Sequence, residues 1–177
     1  MARPRVFVSS TFYDLRHVRN DLEAFIKDIG YEPVMNERGA IPYDKDEALE
    51  AACYREIANC DVLVHIIGGK FGTASKQAPH SISEMELKTA VKLGRQAFIF
   101  VEKGVYAEFN TYRRNKKKKI VWNYVDDPRI YEFIEEVFAL PANNATQSFE
   151  TSAEIIDYLR EQWAGLFQRF LQAAARS

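Results

Sequence analysis

The sequence contains few of the residues that build metal sites, disulfides and membrane spans. Among its 177 residues there are two cysteines, Cys53 and Cys60, and three histidines. The cysteines form no CxxC pair and lie near no histidine pair, so we predict two reduced thiols in a cytoplasmic protein. The apolar stretches, such as Val62 to Ile67, fall far short of the roughly 20 residues that span a bilayer, and we expect no membrane association.

An excess of charge of one sign is also absent. Lys and Arg number 24, Asp and Glu number 25, and the formal net charge is −1. This balance gives the protein as a whole no attraction to nucleic acid or anionic lipid. The densest charge run, Arg113 to Lys119, lies among tyrosines and a tryptophan, a mixture that can bind single-stranded nucleic acid. We expect a solvated loop here instead, and no nucleic acid partner.

Strand and helix patterns alternate about five times along the chain. The predicted strands are Arg5–Ser9, Tyr31–Met35, Val62–Ile67, Ala97–Val101 and Thr146–Phe149. The predicted helices run to Ile29, from Asp46 to Asn59, from Glu84 to Gly94, from Pro128 and from Ser152. This alternation predicts an α/β fold with a mainly parallel, five-stranded sheet and helices on both faces. We expect one domain over residues 1–177, with a core at about 4–102 and a helical extension at about 127–175.

Two loops follow strands at the edge where open parallel sheets bind ligands. The segment Ser9–Phe12 offers hydroxyls and amides beside a helix N-terminus, which favours phosphate or carboxylate. Alternatively, Thr11 and Asp14 cap that helix. In the segment Gly68–Gly72, paired glycines let a ligand approach the backbone closely, or simply form a tight turn. Neither segment matches GxGxxG or the P-loop, which argues against a standard dinucleotide or P-loop site.

Two acidic residues, Glu84 and Glu86, open the predicted third helix. Side chains two positions apart on a helix diverge by about 200°, so the two carboxylates cannot form an acid–base pair on one face. The small residues Ala90 and Gly94 follow one and two turns after Glu86, which favours Glu86 as the functional residue. The alternative for each glutamate is a favourable interaction with the helix dipole.

The histidines form no recognisable catalytic or metal site. His65 lies inside a predicted strand and is interpreted as a hydrogen-bonded core residue, whereas His80 is interpreted as a solvated loop residue. With His17 as the third, the spacing allows no zinc site. No Ser-His-Asp order or GxSxG motif supports a hydrolase triad. We therefore predict no metal and no resident cofactor.

Several segments together resemble the bacterial family called domain of unknown function 4062. They are Val6–Leu15, Cys53–Ile57, Cys60–Val62, Ile66–Gly72, and Ser81–Ala90 followed by Ala97–Val101. This family is similar in outline to the superfamily of Toll/interleukin-receptor domains and nucleoside deoxyribosyltransferases. The resemblance implies a flavodoxin-like, doubly wound form of the predicted sheet.

Many members of that superfamily cleave the N-glycosidic bond of NAD or nucleosides with a Glu at the start of the third helix. Glu86 followed by Ala90 fits the pattern, and Leu93–Gln96 partly matches Leu-Gly-Lys-Pro of the deoxyribosyltransferases. The Trp-Cys pair of many Toll-type domains is absent, and Ser83 stands at the Cys position. The resemblance thus implies Glu86 as the catalytic residue. The expected substrate contacts are Ser9, Ser10, Thr11, Phe12, Gly68, Gly69, Phe71, Ser83 and Glu84.

Two classes of function stay open at this point. The first is an N-glycosidase-type hydrolase or effector acting on NAD or a related nucleotide or nucleoside, in bacterial antiphage defence. Breaking a ribosyl–base bond builds positive charge on the sugar carbon, which one carboxylate stabilises or attacks without a metal. The second is a non-catalytic, Toll-like signalling or assembly module, or a nucleotide sensor, in which Glu86 is structural. Self-association into a homo-oligomer is an expectation for this superfamily.

Overall fold

The computed structural model describes residues 3–36, 41, 48–116 and 118–176, without the side chain of Leu49. Asp46, the predicted start of the second helix, lies outside the described residues. The described elements are β1 (Arg5–Ser9), α1 (Arg16–Asp28), β2 (Glu32–Val34), α2 (Leu49–Ile57), β3 (Val62–Ile67), α3 (Ile82–Lys92), β4 (Gln96–Glu102), α4 (Lys103–Asn115), α5 (Arg129–Phe138), β5 (Thr146–Phe149) and α6 (Ser152–Ala174).

The strands pair in parallel in the order β2-β1-β3-β4-β5. Along β1, Val6 and Val8 face one side of the sheet and Phe7 faces the other, as strand alternation requires. The first side packs against α1 and α6, and the second packs against α2, α3, α4 and α5. Burial on both faces explains the continuous apolar run of β3. Pro33 is tolerated because β2 is an edge strand. The predicted flavodoxin-like, doubly wound fold is confirmed.

The start of α1 differs from the sequence prediction. The helix begins at Arg16, with Leu15 at the N-cap position and no side-chain hydrogen bond to the cap. Thr11 and Asp14 therefore do not cap it. The end of the helix is as expected, because Gly30 follows with a φ of 85°, a left-handed conformation that glycine adopts without strain.

The structure adds a helix after β4 that the sequence analysis did not predict, and this helix takes in Arg113–Asn115, the start of the run expected to be a solvated loop. Residues 103–115 form α4, which buries Val105, Phe109 and Tyr112. These three residues have the spacing of one helical face. The Tyr112 ring lies 5.8 Å from the Trp122 ring and 5.1 Å from the Tyr131 ring, measured between centroids. Tyr112 and Trp122, two of the aromatic residues beside the basic run, thus pack within the protein.

The long helix α6 packs along the face opposite α3. Its buried side chains are Ile155, Leu159 and Trp163, and the Trp163 ring stacks on Phe25 with 5.6 Å between centroids. Further along, Phe167 and Phe170 are exposed. No helix in the described part of the chain has both the length and the apolarity that crossing a membrane requires.

Candidate active site

A cleft of about 810 Å³ opens where β1 and β3 end, beside the start of α3. This volume lies within the usual range for sites that bind small molecules. Ser10, Thr11, Phe12, Ser83 and Glu86, all predicted as site residues, line the cleft. The hydroxyl oxygen of Thr11 is buried, and no hydrogen-bond partner for it is found among the described residues.

The loop before α3 folds back and thereby brings the start of the helix to this edge of the sheet. Ala74 and Ser81 form an antiparallel bridge, and the Ile82 N–H donates to the Thr73 carbonyl at 2.9 Å. Glu50 on α2 holds the same loop by accepting hydrogen bonds from the Ser75 hydroxyl and from the Lys76 N–H. The Tyr54 hydroxyl donates to Glu50 at 2.6 Å.

Although burial opposes it, hydrogen bonding keeps the Glu50 carboxylate ionised. Its burial raises the pKa, but the bonds from Ser75 and Tyr54 outweigh this and hold the pKa of Glu50 below its ordinary value. The loop is therefore tied to α2 by charge-assisted hydrogen bonds, which are the stronger kind.

Glu86 forms part of the cleft wall and is itself 5% exposed. The Ser9 hydroxyl, from the end of β1, donates to Glu86 Oε2 at 2.6 Å. One helical turn on, Ala90 is fully buried, so the small side chain allows the close packing that the sequence suggested. Glu86 thus borders the cleft and accepts a hydrogen bond from the buried Ser9 hydroxyl.

His65 stands behind this pair. Parallel pairing of β1 with β3 places His65 level with Ser9, and His65 Nδ1 lies 2.9 Å from the Ser9 hydroxyl oxygen. Burial lowers the pKa of His65 to about 3, so the ring is neutral at physiological pH. The prediction of a hydrogen-bonded core histidine is confirmed. The sequence analysis missed its connection to Glu86 through Ser9. The available signal was that β1 and β3 were both predicted as strands of one parallel sheet, in which Ser9 and His65 can lie side by side.

Glu84 points to different partners, as the predicted divergence of the two glutamates requires. The Ser81 N–H donates to Glu84 Oε2 at 2.8 Å, and the Glu84 N–H donates to the Ser81 hydroxyl at 3.2 Å, forming a capping box. Burial raises the pKa of Glu84 to about 7. Glu84 was predicted as a substrate contact, but it is absent from the cleft lining and borders instead a small cavity of about 10 Å³.

His80 is not the solvated residue that the sequence suggested. Its side chain is 17% exposed, and His80 Nδ1 lies 3.4 Å from Glu84 Oε2. The ring packs edge-on against Phe133, with 6.2 Å between centroids. Burial, with a further contribution from the Lys88 charge, lowers the pKa of His80.

In the glycine segment after β3, the backbone of Gly69 packs against another part of the protein rather than facing the cleft. A Cβ on Gly69 would lie 2.1 Å from the Tyr124 carbonyl oxygen. The Asp126 N–H donates to the Gly69 carbonyl at 3.0 Å, and the Phe71 N–H donates to Asp126 Oδ1 at 2.9 Å. The predicted contacts Gly68, Gly69 and Phe71 do not line the cleft. Gly69 and Phe71 instead contact the segment that contains Tyr124 and Asp126.

Charged residues of both signs line the cleft, and Glu86 is the one among them that was predicted as a site residue. Arg19 is buried and its Nη1 donates to the Ser10 hydroxyl at 2.7 Å. Lys70 lies 3.8 Å from Asp126, and Asp14 adds a further carboxylate. Within the described ranges, no three His, Cys, Asp or Glu side chains are grouped so as to hold a metal ion. The cleft can thus surround a small polar molecule with hydroxyls, the cations of Arg19 and Lys70, and three carboxylates, of which Ser9 holds that of Glu86.

Comparison with known proteins gives one family and two solved structures to which the chain is similar. The model of the family described as Domain of unknown function (DUF4062) matches residues 5–164. The structure is similar to a CMP N-glycosidase from Clostridium botulinum, with a TM-score of 0.49, 16% identity, and coverage of 88% of this chain and 98% of that chain. It is also similar to a 2-deoxyribosyltransferase from Bacillus psychrosaccharolyticus, with a TM-score of 0.47, 16% identity, and coverage of 87% and 91%. No curated protein matches the sequence.

Proposed function

We propose that this chain, which belongs to the DUF4062 family, cleaves the N-glycosidic bond of a nucleotide or nucleoside. The observation that carries the proposal is Glu86, a carboxylate in the wall of a cleft at the ligand edge of a parallel sheet. The Ser9 hydroxyl fixes one carboxylate oxygen, so the group is oriented before a substrate binds. Preorganised charge of this kind is most effective in a site that excludes water.

The chemistry requires one carboxylate near the anomeric carbon of a bound sugar. As the bond from that carbon to the base nitrogen breaks, its electron pair leaves with the base and positive charge grows on the sugar ring. Glu86 stabilises this charge, or attacks the carbon and forms a glycosyl ester. Water then adds to the sugar carbon, displacing the Glu86 carboxylate where an ester has formed, and its proton passes to the released base or to solvent, which completes hydrolysis.

The remaining lining of the cleft suits the other parts of such a substrate. Ser10 and Thr11 line the cleft and are our candidates for contacts to a ribose, and the Phe12 ring offers a surface for a base. Lys70 has a side chain that is 60% exposed and can approach a phosphate. NAD as the substrate, and a role in antiphage defence, stay predictions that rest on the resemblance.

The direct test is base release from a panel of compounds. The protein at high concentration is incubated with nucleosides, 2′-deoxynucleosides, CMP, other nucleoside monophosphates and NAD, and free base is measured by chromatography. Glu86→Gln should lower release by roughly 100-fold or more, the scale of losing a contact made in the transition state. Glu161→Gln, the same change at an exposed position of α6, should leave release unchanged.

The other outcomes separate the alternatives. Release that persists in Glu86→Gln would reject the catalytic role of Glu86. Saturable binding of a panel member without release would favour the nucleotide sensor. Neither binding nor release, together with self-association in ultracentrifugation, would favour the assembly module.

A further inference from the structure

Three buried polar side chains from three elements form one hydrogen-bonded chain that ends at the cleft. His65 on β3 contacts Ser9 on β1, and Ser9 contacts Glu86 on α3. His65 is 1% exposed and Ser9 is fully buried. Buried polar groups in such a chain must all be satisfied, because each unpaired one is costly.

The single hydrogen of the Ser9 hydroxyl fixes the direction of the chain. An ionised Glu86 can only accept, so Ser9 donates to it along the 2.6 Å contact. The hydroxyl oxygen must then accept from His65 Nδ1, which therefore carries the ring hydrogen. The Ser83 carbonyl lies farther from the hydroxyl, at 3.3 Å, and is the weaker competing acceptor.

We propose that His65 and Ser9 are positioning residues that hold the Glu86 carboxylate oriented toward the cleft, acting through a relay of hydrogen bonds. This inference rests on the proposed function only in giving Glu86 its catalytic role. Hydrogen bonds to the charged form of a carboxyl group stabilise that form.

The core keeps the donor ring in place. The His65 ring packs edge-on against Phe133, with 5.8 Å between centroids and an interplanar angle of 70°. Parallel pairing also fixes the backbone of His65 between Ser9 on β1 and Ile99 on β4. The relay therefore needs no rearrangement when a substrate arrives.

The tautomer of His65 reports the direction of the relay. When Ser9 donates to Glu86, the ring hydrogen of His65 must sit on Nδ1; if Ser9 donated to His65 Nδ1 instead, the ring hydrogen would sit on Nε2. Measurement of the tautomer thus tests the relay without any assay of activity, so it remains decisive even if no substrate is found.

The first experiment is nitrogen-15 NMR of the histidine rings of the whole protein at neutral pH. His17→Gln and His80→Gln assign the His65 signals by elimination and leave the relay intact. We expect neutral His65 with its hydrogen on Nδ1, and a shift toward the Nε2 form in Ser9→Ala. A hydrogen on Nε2 in the unsubstituted protein would overturn the proposal.

The second experiment separates positioning from packing by two replacements of His65 that share a branched shape. In His65→Asn the amide nitrogen can take the place of Nδ1, whereas His65→Leu has no donor. For an active substrate we expect His65→Leu to lower kcat roughly 10- to 100-fold with little change in KM, the scale of leaving one buried polar group without its hydrogen-bond partner. His65→Asn should recover most of that loss. Equal losses in two variants of equal thermal stability would contradict the positioning role.

Discussion

The capping carboxylate of α3 makes a quantitative prediction about stability and pH. Burial raises the pKa of Glu84 from an ordinary value of 4.5 to about 7, which means that the folded protein binds this proton more tightly than the unfolded chain. The stability that the neutral form provides is fully present below pH 4.5 and is lost as the pH rises through 7. At about 1.4 kcal/mol per pH unit, the loss is about 3 kcal/mol.

Glu84→Gln removes this titration and keeps the cap, because glutamine also serves at the third position of a capping box. We expect the free energy of unfolding of the unsubstituted protein to fall by about 3 kcal/mol relative to the variant between pH 4.5 and pH 8. Urea unfolding at a series of pH values measures the difference directly.

The neighbouring histidine needs its own control. The pKa of His80 is lowered in the folded protein, so its titration raises stability with increasing pH, opposite in sign to that of Glu84. The same comparison in a His80→Gln background removes this contribution. If the stabilities of the two proteins run parallel across the pH range in that background, the assignment of a raised pKa to Glu84 is wrong.

Two further substitutions, each paired with a control, test the packing and hydrogen bonding of the fold. Gly69→Ala should lower the free energy of unfolding by at least about 2 kcal/mol because its Cβ would meet the Tyr124 carbonyl. Gly165→Ala, a helical position with no atom within 4 Å of the added Cβ, should raise it by about 0.5–1 kcal/mol, and equal effects of the two alanines would refute the packing argument. Tyr131→Phe removes the hydroxyl that donates to Glu108 at 2.5 Å and should lower the free energy of unfolding by about 1–2 kcal/mol. Tyr13→Phe, at a side chain that is 92% exposed, is its control and should change stability little.

The sheet was predictable because each strand carries its own signal. Buried apolar runs mark β1 and β3, and glycines with positive φ follow α1 and α3 at Gly30 and Gly94. The helix α4 was missed although Val105, Phe109 and Tyr112 have helical spacing. Its last turn contains Arg113 and Arg114 and is followed by four lysines, and this run of cations is typical of a solvated loop.

The site was predictable where it depends on local geometry. Helical spacing alone separated Glu86 from Glu84, and the structure confirms that they face different partners. The packing around Gly69 was not predictable, because Tyr124 is distant in sequence and its approach depends on how the segment after α4 crosses the sheet edge. The relay through His65 likewise depends on the register of β1 against β3, which no single segment encodes.

The central claim is that the Glu86 carboxylate acts on a glycosidic bond. It is tested most directly by the rate at which free base appears when the protein, Glu86→Gln and Glu161→Gln are incubated with the same nucleotide panel. We predict release by the unsubstituted protein and by Glu161→Gln, and a loss of roughly 100-fold or more in Glu86→Gln. Equal release by all three proteins would contradict the account.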